Sequence, residues 1–258
     1  MIKDIITTLQ MTFLFTFKNI LILLILVVPM YTSGNPLLSQ FIFLAFLGIN
    51  LFFLKDNKFF IDRREKMMIS VKTIKEYFLY GLYFGIIAFV LSWILFIVGY
   101  IIAIYIIDIL NLYIYLDEYG LKAFYYFIHV LFVLISILAP FHFIFILSLL
   151  KSETPVEILK INIVLRRMFK YIPILLRKKD FILFILIWIA LFVLLYQIDL
   201  ILLSNSFKLI SIILKFTHNT KIIRTFIQLK DASIIIISFY ILFIYSFYSA
   251  YNMNKYLK

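Results

Sequence analysis

Apolar residues along this chain come in long uncharged runs, and the charged residues between them gather in two islands. No charge occurs from Asn19 to Leu54, a run of 36 residues, or from Tyr77 to Ile107, a run of 31. About twenty apolar residues suffice to cross a hydrocarbon core, so runs of this kind predict transmembrane helices. The first run is too long for one span and is broken by Tyr31-Thr-Ser-Gly-Asn-Pro36, where Gly34, Asn35 and Pro36 make a strong turn signal. It therefore reads as two short helices, at about 14–32 and 37–55, joined by a tight hairpin. The second run reads as a third span, 77–107, long enough that it must tilt or project beyond the bilayer. Spans at 123–150, 181–198 and 232–254 complete six, with a mixed segment at 199–231. Met1–Lys18, apolar but interrupted by Lys3, Asp4, Thr7, Thr8 and Thr16, reads as a helix lying along the inner interface. The predicted fold is all-α: one polytopic domain over residues 1–258 with six transmembrane helices and an N-terminal interfacial helix.

The islands differ in pattern. Lys55–Glu76 carries seven basic and four acidic residues. Read as a helix, it places Phe60, Met67, Val71, Ile74 and Phe78 on one stripe, with Asp62, Glu65, Lys66, Lys72 and Lys75 largely off it. Asp62 with Lys66 and Lys72 with Glu76 form opposite-charge pairs at i,i+4. Lys151–Asp180 is more one-sided, with eight basic residues against three acidic. Thr154-Pro-Val-Glu157 is a helix-start signal, followed by an apolar stripe of Ile158, Ile161, Leu165, Met168 and Ile172. Lys160, Arg166, Arg167 and Lys170 project elsewhere, and Pro173 bends or ends the helix. A basic amphipathic helix beside a membrane fits an anionic lipid surface. The acidic residues of the first island, Asp56, Asp62, Glu65 and Glu76, disfavour that surface and fit a protein partner better.

Composition reinforces the class. The chain is 65% hydrophobic, with a mean hydropathy of +1.10, more apolar surface than a water-soluble domain of 258 residues could bury. The net charge of +12 matches basic residues held at the inner membrane surface, and no basic segment stands apart from the membrane to take nucleic acid. With the N-terminus inside, six spans place both islands and the C-terminus inside, leaving nineteen Lys and Arg within and six outside. This predicts a cell-membrane protein with both termini cytoplasmic. No segment reads as a cleavable signal peptide, and with no Cys there is no disulfide or thiolate chemistry.

Chemistry-bearing motifs are few. His129 and His142, thirteen apart, have no carboxylate beside them, so helix-to-helix hydrogen bonding is their expected use and no metal site is predicted. No P-loop, H-E-x-x-H or G-x-S-x-G motif occurs, so neither a cofactor nor catalysis is expected in this chain. Asp108 and Asp199 fall at the ends of uncharged runs rather than at midplane, which disfavours a proton-driven carrier. The 30 Phe and 18 Tyr spread along the chain, as interfacial belts would require.

One family resembles this layout. Asp62-Arg-Arg-Glu-Lys66, followed by Met67-Met-Ile-Ser-Val-Lys-Thr-Ile-Lys-Glu76-Tyr-Phe-Leu79, is similar to the segment leading into the third span of exporter-class (type 2) ABC transporter permease subunits. Thr73 takes the family's Ser position and Lys75-Glu76 its Lys-Glu pair, while Val71 stands where the family has Pro. Ser246-Phe-Tyr-Ser-Ala-Tyr-Asn-Met-Asn-Lys-Tyr256 resembles the family's last span running into a short basic tail. The resemblance implies a cytoplasmic amphipathic coupling helix, formed by Asp62, Arg63, Arg64, Glu65, Lys66, Met67, Val71, Thr73, Lys75 and Glu76. It also implies a separate cytoplasmic ABC ATPase as partner, and a homodimer or a heterodimer with a related permease. Lys160, Arg166, Arg167 and Lys170 are expected to face membrane lipid. The alternative is a membrane scaffold or assembly factor that binds a cytoplasmic partner without moving a substrate. A lipid-modifying enzyme is disfavoured because no paired carboxylates or His/Asp set face one another.

Overall fold

The computed structural model describes residues 2–32, 36–56, 68–109, 143–151, 157, 160–205 and 220–253. Among them there is no strand. The helices, in chain order, are α1 (Ile2–Lys18), α2 (Ile20–Thr32), α3 (Pro36–Asp56), α4 (Val71–Ile109), α5 (143–150), α6 (Ile161–Leu175), α7 (Lys179–Ser204) and α8 (Thr220–Met253).

Four segments are long and apolar enough to cross a membrane: Leu37–Asp56, Val71–Leu91, Lys179–Leu202 and Ile227–Met253. The bent pair α1–α2 makes a fifth if it crosses as one broken span. These are the proportions of a multi-pass α-helical membrane protein. The described residues account for four or five spans rather than six, and most of the expected fourth span, 123–150, lies outside them.

Several expected boundaries move. The span expected at 14–32 is not one helix, because the chain breaks at Asn19 with a bend of 58°. The helix of the expected third span, α4, begins at Val71 rather than Tyr77, with Lys72, Lys75 and Glu76 in its first turns. Its 39 residues span about 58 Å, well beyond a bilayer core. Part of the mixed segment is helical as well: α7 runs on to Ser204 and α8 starts at Thr220.

The molecule is apolar outside and partly polar within. Phe17, Leu21 and Ile25 are exposed, whereas Thr8, Thr12, Thr16, Asn19, Asn50, Ser148, Ser246 and Ser249 are buried. In hydrocarbon this is the stable arrangement, because exposed aliphatic groups cost nothing and most buried polar groups find partners inside, Ser249 Oγ being an exception. Most of these side chains bond within their own helix. Thr8 Oγ1 donates to Asp4 O at 2.8 Å, Thr12 Oγ1 to Thr8 O at 2.8 Å, and Thr16 Oγ1 to Thr12 O at 2.9 Å.

Two contacts organise the bundle. The first is the α3–α4 hairpin, where Gly81 and Gly85, a G-x-x-x-G pair, lie against Ala45. A Cβ on Gly81 would fall 2.6 Å from the Ala45 carbonyl oxygen, and one on Gly85 would fall 3.0 Å from Ala45 Cα. Only glycine permits helix backbones to approach this closely. Phe52 against Tyr80 (centroids 4.6 Å apart) and Phe53 against Tyr77 (6.1 Å) close the seam at the island end.

The second is α8, whose C-terminal half is almost wholly buried and touches α1, α2, α3 and α7. Tyr240 donates to Asn50 Oδ1 at 2.7 Å, Tyr245 to Phe184 O at 3.3 Å, and Asn252 Nδ2 to Thr8 Oγ1 at 2.7 Å. Ser238 donates to Asp199 Oδ1 on α7 at 2.8 Å. The fully buried Phe143 of α5 meets Trp188 and Tyr245 edge-on, each at 6.4 Å.

Candidate functional site

The first island leads into α4 through Ile69 and Ser70, and the way these two residues are held defines the candidate site. Ser70 is the N-cap of α4. Its Oγ accepts from the Thr73 N–H at 3.2 Å and lies 3.0 Å from Thr73 Oγ1, while its carbonyl takes the Ile74 N–H at 3.0 Å. These bonds satisfy donors that the first helical turn leaves without intrahelical partners.

Ile69 is buried, and its N–H donates to Asn19 Oδ1 at 2.8 Å across fifty residues of sequence. Asn19 is 1% exposed and occupies the break between α1 and α2. Its backbone N–H is shared between Phe15 O (3.1 Å) and Thr16 O (3.2 Å), and its side-chain Nδ2 also donates to Phe15 O at 2.8 Å. A side-chain amide competing with the backbone for one carbonyl is a recognised cause of helix bending. One asparagine therefore joins the bend between two helices to the backbone just ahead of a third.

Around this joint the expected docking residues divide. Asp62, Arg63, Arg64, Glu65, Lys66 and Met67 lie outside the described residues, as do Phe60 and the Asp62–Lys66 pair. Val71 is 84% exposed, and Lys75 and Glu76 are exposed with it. Lys72 Nζ lies 3.8 Å from Glu76 Oε1, the expected i,i+4 pair. Thr73, expected on the docking surface, is instead turned inward at 7% exposure, because the cap contact with Ser70 needs it there. The expected apolar stripe is also rotated. Val71 and Phe78 face outward while Ile74 packs against the core, and Tyr77, Tyr80 and Phe84 make the face that meets α3. Glycine packing against Ala45 sets that rotation.

On the second island, Lys160, Arg166 and Lys170 are exposed as expected. Arg167 is half-buried, and its Nη2 pairs with Glu157 Oε1 at 3.4 Å. Lys160 occupies the N-cap of α6 without a side-chain cap, and the expected helix start at Thr154 lies outside the described residues. Of the expected apolar stripe, Leu165 faces out while Met168 and Ile172 pack against the core, and Val164 beside Leu165 is buried. His129 and His142 lie outside the described residues, among which no group of three or more His, Asp or Glu could hold a metal ion.

Three features escaped the sequence reading: Asn19, the Asn50–Tyr240 bond, and Gly81-x-x-x-Gly85. The glycine spacing is a usable signal inside an apolar run. An asparagine in such a run is also a signal, since it must find a partner, but the partner is not readable from one sequence.

The chain matches no protein-family model, no curated protein and no solved structure in the comparisons made with it.

Proposed function

We propose that this chain is the six-span permease subunit of an ATP-driven transporter of the exporter class, working in the cell membrane as a homodimer or with a related permease. A separate cytoplasmic ATPase docks on the first island, and both termini face the cytoplasm. The observation that carries this reading is the bond from the Ile69 N–H to Asn19. A partner that pushes on the island pulls on the α1–α2 break through that bond, and on α4 through the Ser70 cap. The exposed Val71, the Lys72–Glu76 pair and Lys75 present mixed charge and apolar surface to such a partner. The excess of basic residues on the island side supports the orientation.

The test is co-purification. The tagged chain, extracted from its native membrane in mild detergent, is expected to bring down an ATPase with a phosphate-binding loop. Reversing Arg63, Arg64 and Glu65 together should abolish that association while membrane insertion is kept. Undiminished association sinks the proposed docking site. A stoichiometric partner without ATPase motifs would favour the scaffold reading.

A further inference from the structure

α6 has two apolar faces, and only one is used inside the molecule. Val164 and Leu175 are buried, with Met168, Tyr171 and Ile172 packed beside them against the core. On another side of the helix Leu165, Phe169 and Leu176 are 42%, 71% and 49% exposed. Each is followed directly by an exposed basic residue, giving the doublets Leu165-Arg166, Phe169-Lys170 and Leu176-Arg177. At spacings of four and seven, the three apolar residues share a stripe about a hundred degrees from the basic ones. α6 contains no acidic residue, and the nearby Glu157 is engaged with Arg167.

The position of the helix decides what covers this face. Only residues 176–178 separate α6 from α7, which from Lys179 is long and apolar enough to cross a membrane. α6 therefore ends at the membrane boundary, with Lys178 and Lys179 exposed beside it. An apolar stripe at that level bordered by cations fits acyl chains and headgroup phosphates at once.

We propose that the outer face of α6 is a docking surface for anionic phospholipid. Leu165, Phe169 and Leu176 enter the acyl boundary, and Arg166, Lys170 and Arg177 take the headgroup phosphates. The assignment is independent of the transport reading, since it needs only the membrane position of α7.

The full chain, reconstituted in vesicles of phosphatidylcholine and phosphatidylglycerol, should select spin-labelled phosphatidylglycerol. Arg166→Gln, Lys170→Gln and Arg177→Gln should each lower that preference, by about five-fold per basic side chain lost. These residues are exposed, so the variants keep the fold; an unchanged preference in the triple variant overturns the proposal. Because the chain has no cysteine, Leu165→Cys gives a single labelling site for an independent measurement. A spin label there should be relaxed by oxygen and shielded from a water-soluble relaxer. Full access of the water-soluble relaxer would overturn lipid insertion and assign the face to an aqueous partner.

Discussion

The start of α4 and the whole of α6 are both amphipathic, both charged and both next to a membrane-crossing helix, yet they are held in different ways. The first is fixed by directional polar bonds: the Ser70 cap, the Thr73 contact and the buried Ile69–Asn19 bond. The second is held by an apolar face, Val164 to Leu175, and by one ion pair at its rim. Directional bonds fix the register of an element relative to a distant joint, so displacing one end displaces the other. Apolar contact fixes depth but tolerates sliding, which suits a helix resting on lipid. Charge alone does not separate the two; the kind of attachment does.

Breaking the attachments one at a time sharpens this contrast. The largest effect is expected from Asn19→Leu. It leaves the buried Ile69 N–H without its acceptor and should cost about 1–3 kcal/mol in an unfolding titration in detergent. The same change should raise hydrogen exchange at Ile69 while leaving α6 unaltered. If Ile69 stays protected, the joint between the island and the α1–α2 break does not exist as described. Ser70→Ala removes only the cap, and a loss of about 1 kcal/mol is expected by the same titration. Smallest is Val71→Pro. Val71 is the first helical residue, where proline is favoured and no intrahelical donor is lost, so a gain of about 0.4–1 kcal/mol is expected. A clear destabilisation by Val71→Pro would show that this position differs from the proline-bearing one in the permeases it resembles.

Hydropathy alone located most helices because Gly34-Asn35-Pro36 and the charged islands interrupt the apolar runs cleanly. The expected 37–55 helix agrees closely with Pro36–Asp56. Hydropathy failed where the backbone ignores it. Lys72, Lys75 and Glu76 read as part of an island helix separate from the span, but they form the opening turns of the same helix whose far end lies in the apolar run. The break at Asn19 was invisible because its companion, Ile69, is fifty residues away and bonds through its backbone, which carries no residue signature. The facing of α4 is hidden for a related reason. Periodicity finds apolar stripes but does not say whether lipid or protein covers them, and in a membrane both answers are apolar. Thr73, placed on the docking surface by the family resemblance, is buried, and Leu165, on the expected apolar stripe, is exposed.

The bond between Tyr240 and Asn50 has a consequence for the order in which the molecule is made. Asn50 leaves the ribosome 190 residues before Tyr240, at a stage when α3 and α4 can already close on their glycines. Its Nδ2 is satisfied locally by the Phe46 carbonyl at 2.6 Å, but its Oδ1 awaits a donor from the last helix. A nascent chain carrying the finished hairpin thus holds a vacant acceptor within its apolar surface, and the arrival of α8 fills it. That bond forms only once synthesis has reached α8, together with the bonds from α8 to Thr8, Phe184 and Asp199.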